Sequence, residues 1–173
     1  MSDSSKPVEI KNLQLENLGE NQRLSASVDG DTVWFEMSAD IPLAARAEAF
    51  LAPAMFEAMV RGVPLIVEKG TPISPRLLEQ LKTIQSIFTC WNSDLHKVAI
   101  EADVAPHPGG IDGGICCFSG GVDSSHTLAC HEDEISHLLV VQGFDTWGDK
   151  SDWEENVKAR MESAKVVGKK LIA

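Results

Sequence analysis

Between Ser119 and Ser125 the chain reads SGGVDSS, which joins three hydroxyls, two adjacent glycines and one carboxylate. Gly120 and Gly121 lack a Cβ, so backbone N–H groups there can approach an anion closely and take φ angles other residues avoid. Ser119, Ser124 and Ser125 add hydroxyl donors, and Asp123 can cap a helix or take a magnesium ion. Each part suits a polyphosphate. The pattern G-x-x-x-x-G-K-[ST] is absent, so this is not a Walker-type loop. The competing reading of the same residues is an ordinary strand-to-helix corner.

The flanking elements decide what such a loop can do. Ile115–Phe118 is continuously apolar, as a strand covered on both faces should be. A helix of about two turns is predicted from Asp123 to Cys130, then acidic residues 131–134 and a strand at 137–142. Residues 143–150 form a loop, and Ser151 with Glu154 makes a capping box. The next helix runs to about Val167, with Trp153, Val157, Met161, Ala164 and Val167 on its buried face. Gly168 ends it, and a third strand begins at Lys170. Alternating strands and helices predict a parallel sheet with right-handed crossovers. Ligands of such sheets bind at the carboxyl ends of the strands, where the loop lies. The helix after the loop directs its positive end at the same place.

Residues 119–125, directly after the strand at 115–118, resemble the S-G-G-x-D-S signature of the PP-loop ATP pyrophosphatases, the adenine nucleotide alpha hydrolase-like superfamily. Its members include GMP, NAD and asparagine synthetases and tRNA-thiolation enzymes. The match is complete over the core positions and covers the chain from Ile115 onward. The resemblance implies that Ser119, Gly120, Gly121, Ser124 and Ser125 cradle the β/γ-phosphates of ATP, which leave as pyrophosphate. It implies that Asp123 orients the loop or meets Mg2+, with Asp123 and Ser119 as the catalytic candidates. The adenine lies against the ends of the first two strands, making Phe118 and the segment from Val141 to Gly143, Gln142 included, candidates. Plain core is the alternative for Val141. The implied activity is an AMP-forming ligase, amide transferase or sulfur transferase that adenylylates a small-molecule acceptor and so creates a good leaving group. The alternative is a nucleotide-binding or assembly module without turnover, or an inactive fragment of such an enzyme. An adenylyl-sulfate reductase wants a reactive cysteine near the chain end, and the last cysteine here is Cys130. Asp145 and Trp147 could reach the same crevice, though a solvated loop is the simpler account.

The expected fold is α/β, a partial doubly wound parallel sheet of three-layer α/β/α type after a small α+β unit. The proposed division is 1–105 and 106–173, with the Pro- and Gly-dense stretch 103–114 as boundary. The glycines of that stretch precede a strand instead of following one, which rules out a dinucleotide fingerprint. In the family the sheet order is 3-2-1-4-5, and only three strands are found here. The first strand is then an exposed edge. It would be explained by a shortened chain, which we expect, by completion from another chain or homo-oligomer, or by cover from the N-terminal unit.

In that N-terminal unit, residues 1–20 are expected to be frayed before a strand. Alternation over 23–37 about Asp29-Gly30-Asp31 predicts a hairpin. Asp40 and Pro42 predict a helix from Leu43 to about Val60, ended by Gly62. A strand at 63–68 follows, then a helix opened by Ser74-Pro75, whose apolar face includes Leu77, Leu78, Leu81, Ile84, Gln85, Phe88 and Trp91. Residues 97–102 read as another strand.

The 173 residues carry 15 basic and 26 acidic groups, net −11, with 43% hydrophobic residues. Neither division is basic: 1–105 has 9 basic and 15 acidic residues, and 106–173 has 6 and 11. That disfavours a long nucleic acid as partner, because backbone phosphates select basic surfaces. No stretch resembles a membrane span or a secretion signal, so the expected location is cytoplasmic. Cys90, Cys116, Cys117 and Cys130 contain no C-x-x-C pair and are expected to be small buried hydrophobes. The five histidines lack zinc-site spacing.

Overall fold

The computed structural model describes residues 5–107, 109, 113–143 and 150–173, the side chains of 150 and 151 excepted. The chain is mixed α/β and divides into two compact units, Met1–Pro108 and Gly109–Ala173. The division falls slightly beyond the expected 105/106 boundary. The reason is local: Ile73 forms an isolated bridge with Val104, and Arg46 donates to the carbonyls of Ala105 and Pro106.

The first unit is built on a five-stranded sheet. β1 (Val8–Asn17), β2 (Asn21–Val28) and β3 (Asp31–Ser38) are antiparallel neighbours. β4 (Leu65–Val67) and β5 (Ile100–Glu101) extend the other side of β1 in parallel, giving the order β3-β2-β1-β4-β5. The predicted hairpin is present. Asp29 and Gly30 have φ of 51° and 96°, as a two-residue turn with both centres left-handed requires. The expected frayed start is corrected, because β1 is a ten-residue strand whose Val8 and Ile10 lie in the core.

Helix α1 (Glu48–Arg61) begins five residues later than Asp40 and Pro42 suggested. Arg46, just before the helix, is engaged in tertiary hydrogen bonds that hold the preceding backbone out of helical form. Pro53 sits inside α1, which still buries Phe50, Leu51, Ala54, Met55, Ala58 and Met59. Gly62 ends it with φ 66°, as expected of a left-handed cap. Helix α2 (Pro75–Trp91) starts after Ser74 as predicted and buries Leu81 and Gln85. The Gln85 side-chain oxygen accepts the Val98 N–H at 2.7 Å, which satisfies a polar group inside the core. Trp91, expected on the apolar face, is 77% exposed at the end of α2.

The second unit is a three-stranded parallel sheet, β6 (Gly114–Cys117), β7 (Ile135–Leu139) and β8 (Lys170–Ile172), in the order β6-β7-β8. Helices α3 (Val122–Cys130) and α4 (Lys150–Val166) make the crossovers. Leu128 of α3 and Ala164 of α4 pack into one core cluster with Cys116, Phe118, Ile135 and Leu138. Strand alternation puts Ile115 and Cys117 on the opposite face, and both are exposed. Met161, expected on the buried face of α4, is 44% exposed. The cysteine expectation is also corrected: only Cys116 is buried, while Cys90, Cys117 and Cys130 are exposed free thiols.

Candidate phosphate-binding loop

The loop Ser119–Ser125 follows β6 at the carboxyl end of the sheet. The N–H of Phe118 bonds to the Leu139 carbonyl at 2.8 Å, so the ends of β6 and β7 are fixed side by side. The chain then turns through Gly120, whose φ is 79°. A Cβ on Gly120 would meet nothing within 4 Å, so the demand for glycine is conformational. Gly121 differs. Its φ is −79°, and a Cβ there would touch only the Ser119 hydroxyl at 3.4 Å. The expectation that both glycines adopt unusual φ angles therefore holds for Gly120 alone, and Gly121 supplies openness around the backbone.

A chain of hydrogen bonds braces the turn. The Gly121 N–H donates to Ser119 Oγ at 3.3 Å, Ser119 and Ser124 hydroxyls meet at 3.3 Å, and Ser124 Oγ donates to the Gly121 carbonyl at 3.1 Å. The first helical bond of α3 runs from the Ser125 N–H to the same carbonyl at 3.1 Å. The N–H groups of Val122, Asp123 and Ser124 precede that bond and have no partner within the helix. They face the N-terminal end of α3, where the helix dipole favours negative charge. Ser119, Gly120, Gly121, Asp123 and Ser125 are all exposed. A ligand can reach them.

Asp123 lies in the first turn of α3, and its main-chain carbonyl accepts the Thr127 hydroxyl at 3.0 Å. Its carboxylate is exposed and makes no protein hydrogen bond among the described residues. A lone exposed carboxylate of this kind suits Mg2+ only if the loop takes a phosphate, because Mg2+ keeps several waters and takes other ligands from phosphate oxygens. Among the described residues no group of three or more His, Cys, Asp or Glu forms a metal cage. The remaining candidates fall into two groups. Phe118 is buried in the core, leaving its main chain at the strand end. Gln142 is exposed in the turn after β7, at the same end of the sheet. Asp145, Trp147 and the Ser151 side chain lie outside the described residues.

Sequence reasoning missed Arg160 of α4. Its Nη2 donates to the Ser119 carbonyl at 2.5 Å, across 41 residues of sequence. A cation on a different helix, 41 residues from the loop, has no spacing signal, so only the packing of α4 reveals it. A cavity of about 440 Å³ lies elsewhere in the unit, along β6 with Thr127, His131 and Glu134. None of residues 119–125 lines it. The loop, which holds the oriented donors, is the better candidate; the cavity follows the open side of an edge strand. Among the described residues no helix is long and apolar enough to cross a membrane. Comparison with protein-family models, curated proteins and solved structures returns no match.

Proposed function

We propose that the chain binds ATP through Ser119–Ser125 in the manner of a PP-loop ATP pyrophosphatase and transfers AMP to a small-molecule acceptor. The observation that carries this reading is the exposed loop itself. Gly120 turns the chain so that free N–H groups at the start of α3 and the hydroxyls of Ser119, Ser124 and Ser125 share one strand end. The N–H groups of Val122, Asp123 and Ser124 are oriented for a β/γ-phosphate charge as they stand, and the Ser119 and Ser124 hydroxyls meet it by turning from one another. In the reaction an acceptor oxygen forms a bond to the α-phosphorus while the bond from that phosphorus to the bridging oxygen breaks. Pyrophosphate then leaves on the loop. Asp123 would hold Mg2+, which supplies charge neutralisation on the phosphate oxygens. Phe118 and Gln142 would border the adenine. The reading sets the activity in the cytoplasm, a reducing compartment compatible with four free thiols.

The test is to supply the chain with Mg-ATP and follow products by phosphate-sensitive and nucleotide chromatography assays. AMP and pyrophosphate, both lost in Asp123→Ala and Ser119→Ala, are the expected outcome. Release of ADP and phosphate would overturn the reading. A second reading is favoured by one observation: β6 forms an edge of its sheet among the described residues. The far wall of the crevice would then come from another copy or another chain. ATP binding without any pyrophosphate release by the isolated chain would support that non-catalytic or assembly-dependent module.

A further inference from the structure

Arg160 is held by a ladder along α4. The Asn156 side-chain amide donates to the Asp152 carbonyl at 2.8 Å, and its Oδ1 accepts from Arg160 Nη1 at 2.8 Å. Nη1 also reaches the Asn156 carbonyl at 3.1 Å, and Nη2 ends on the Ser119 carbonyl at 2.5 Å. The Nε atom is fully buried without a hydrogen-bond partner among the described residues. A guanidinium carries five donors and is charged at all ordinary pH values. Two of its nitrogens are fixed here by oriented acceptors, one of them at the entry to the loop. A lone backbone carbonyl is a weak reason to hold a cation there, since it bears no net charge. An anion beside the loop is a stronger one.

On this basis we infer that Arg160 is a positioning residue for phosphate. It fixes the Ser119 carbonyl, so that the hydroxyl chain through Ser119 and Ser124 keeps its register. It also brings a permanent positive charge to the loop. The inference rests on the phosphate reading of Ser119–Ser125 and adds to it a residue outside the motif, on a different helix. Turn and cation are thereby coupled: a ligand that draws the loop outward pulls on α4.

The experiment is isothermal titration of the full chain with inorganic pyrophosphate and Mg2+ at several salt concentrations, using wild type, Arg160→Gln, Arg160→Lys and Lys158→Gln. Lys158 is an exposed base on the same helix, so its variant makes the same change in net charge. Arg160→Gln is expected to weaken binding about tenfold or more and to flatten the salt dependence. Arg160→Lys should recover most of the loss, and Lys158→Gln should bind like wild type. Thermal unfolding run in parallel is expected to show small shifts throughout. If Arg160→Gln binds as well as wild type, the inference falls while the loop reading stands. It also falls if Arg160→Lys is no better than Arg160→Gln, or if Lys158→Gln is equally weakened. If wild type does not bind pyrophosphate at all, both readings fall together.

Discussion

The two units invest their residues differently. Eighteen of the described residues form the buried hydrophobic cluster of the first unit, whereas six form that of the second. The first unit also closes its polar groups inward, through Gln85 to Val98 and through Arg46 to Glu48, Ala105 and Pro106. The second leaves its polar groups outward, on an exposed loop whose hydroxyls bond to one another. A thin core is the low-stability end of a molecule, where binding loops are usually found. The difference teaches that the larger unit has a core sufficient to be a scaffold in its own right, and that the loop proposed to bind phosphate lies in the part with fewer buried apolar residues.

The strongest way to break this comparison is to remove one buried side chain from each unit. Phe50 is fully buried and packs on Phe35 with ring centroids 5.4 Å apart. Phe50→Ala is expected to cost about 3–5 kcal/mol, and Leu138→Ala about 2–5 kcal/mol. Hydrogen exchange should then separate the units. Leu138→Ala should release amides of residues 113–143 and 150–173 while those of β1 to β4 stay protected, and Phe50→Ala should release the latter. Uniform loss across the chain in both variants would mean that the two clusters unfold as one.

The next largest effect concerns the Arg46 clamp. Arg46 and Glu48 side chains are only 10% and 17% exposed, with Nε and Oε2 2.8 Å apart. Burial pushes the Glu48 carboxyl upward, but hydrogen bonds from Arg46 and from the Ser74 N–H outweigh it. The net result lies below the ordinary carboxylate value. A depressed folded-state pKa contributes stability that is full above the unfolded value and lost as pH falls through the folded one. Chemical denaturation between neutral and acid pH should therefore show Glu48→Gln flattening the acid limb of the wild-type curve. Arg46→Ala leaves the carboxylate with the Ser74 N–H but no cation, and removes a shared donor from two carbonyls, at an expected cost of about 3 kcal/mol at neutral pH. A pH profile unchanged by Glu48→Gln would remove the clamp from the account of what makes the first unit a scaffold.

Much of both units was legible from local rules, and the failures have physical causes. The Asp29-Gly30 hairpin, the Gly62 cap and the Ser74-Pro75 helix start are set by residues a few positions apart, which sequence displays directly. The α1 start was misjudged because Asp40 and Pro42 look like a cap, while the tertiary bonds of Arg46, to carbonyls some 60 residues away, decide the boundary. Trp91 and Met161 fit an apolar stripe by spacing, yet a stripe does not say where the covering element ends. At the loop the motif residues were visible at once. Arg160 was not, because its link to Ser119 depends on how α4 packs on the sheet, against β8.

Gly120 and Gly121 give the smallest effect on stability and the sharpest test of the proposed phosphate loop. Alanine at Gly120 must hold φ near 79°, at a cost of about 1–2 kcal/mol, with no steric clash to add to it. The thin second unit can relieve that strain by opening the turn, which swings the N–H groups of Val122 and Asp123 away from a common point. Gly121→Ala keeps an ordinary φ and should leave stability within about 0.5 kcal/mol of wild type. Its methyl group nevertheless stands 3.4 Å from the Ser119 hydroxyl, and on the proposed phosphate reading it would crowd the approach of a phosphate oxygen. Both variants should therefore weaken Mg-pyrophosphate binding, while only Gly120→Ala lowers the unfolding midpoint. If Gly121→Ala binds as wild type does, the close backbone approach is not what the second glycine provides. The loop would then work through its hydroxyls and the turn at Gly120 alone.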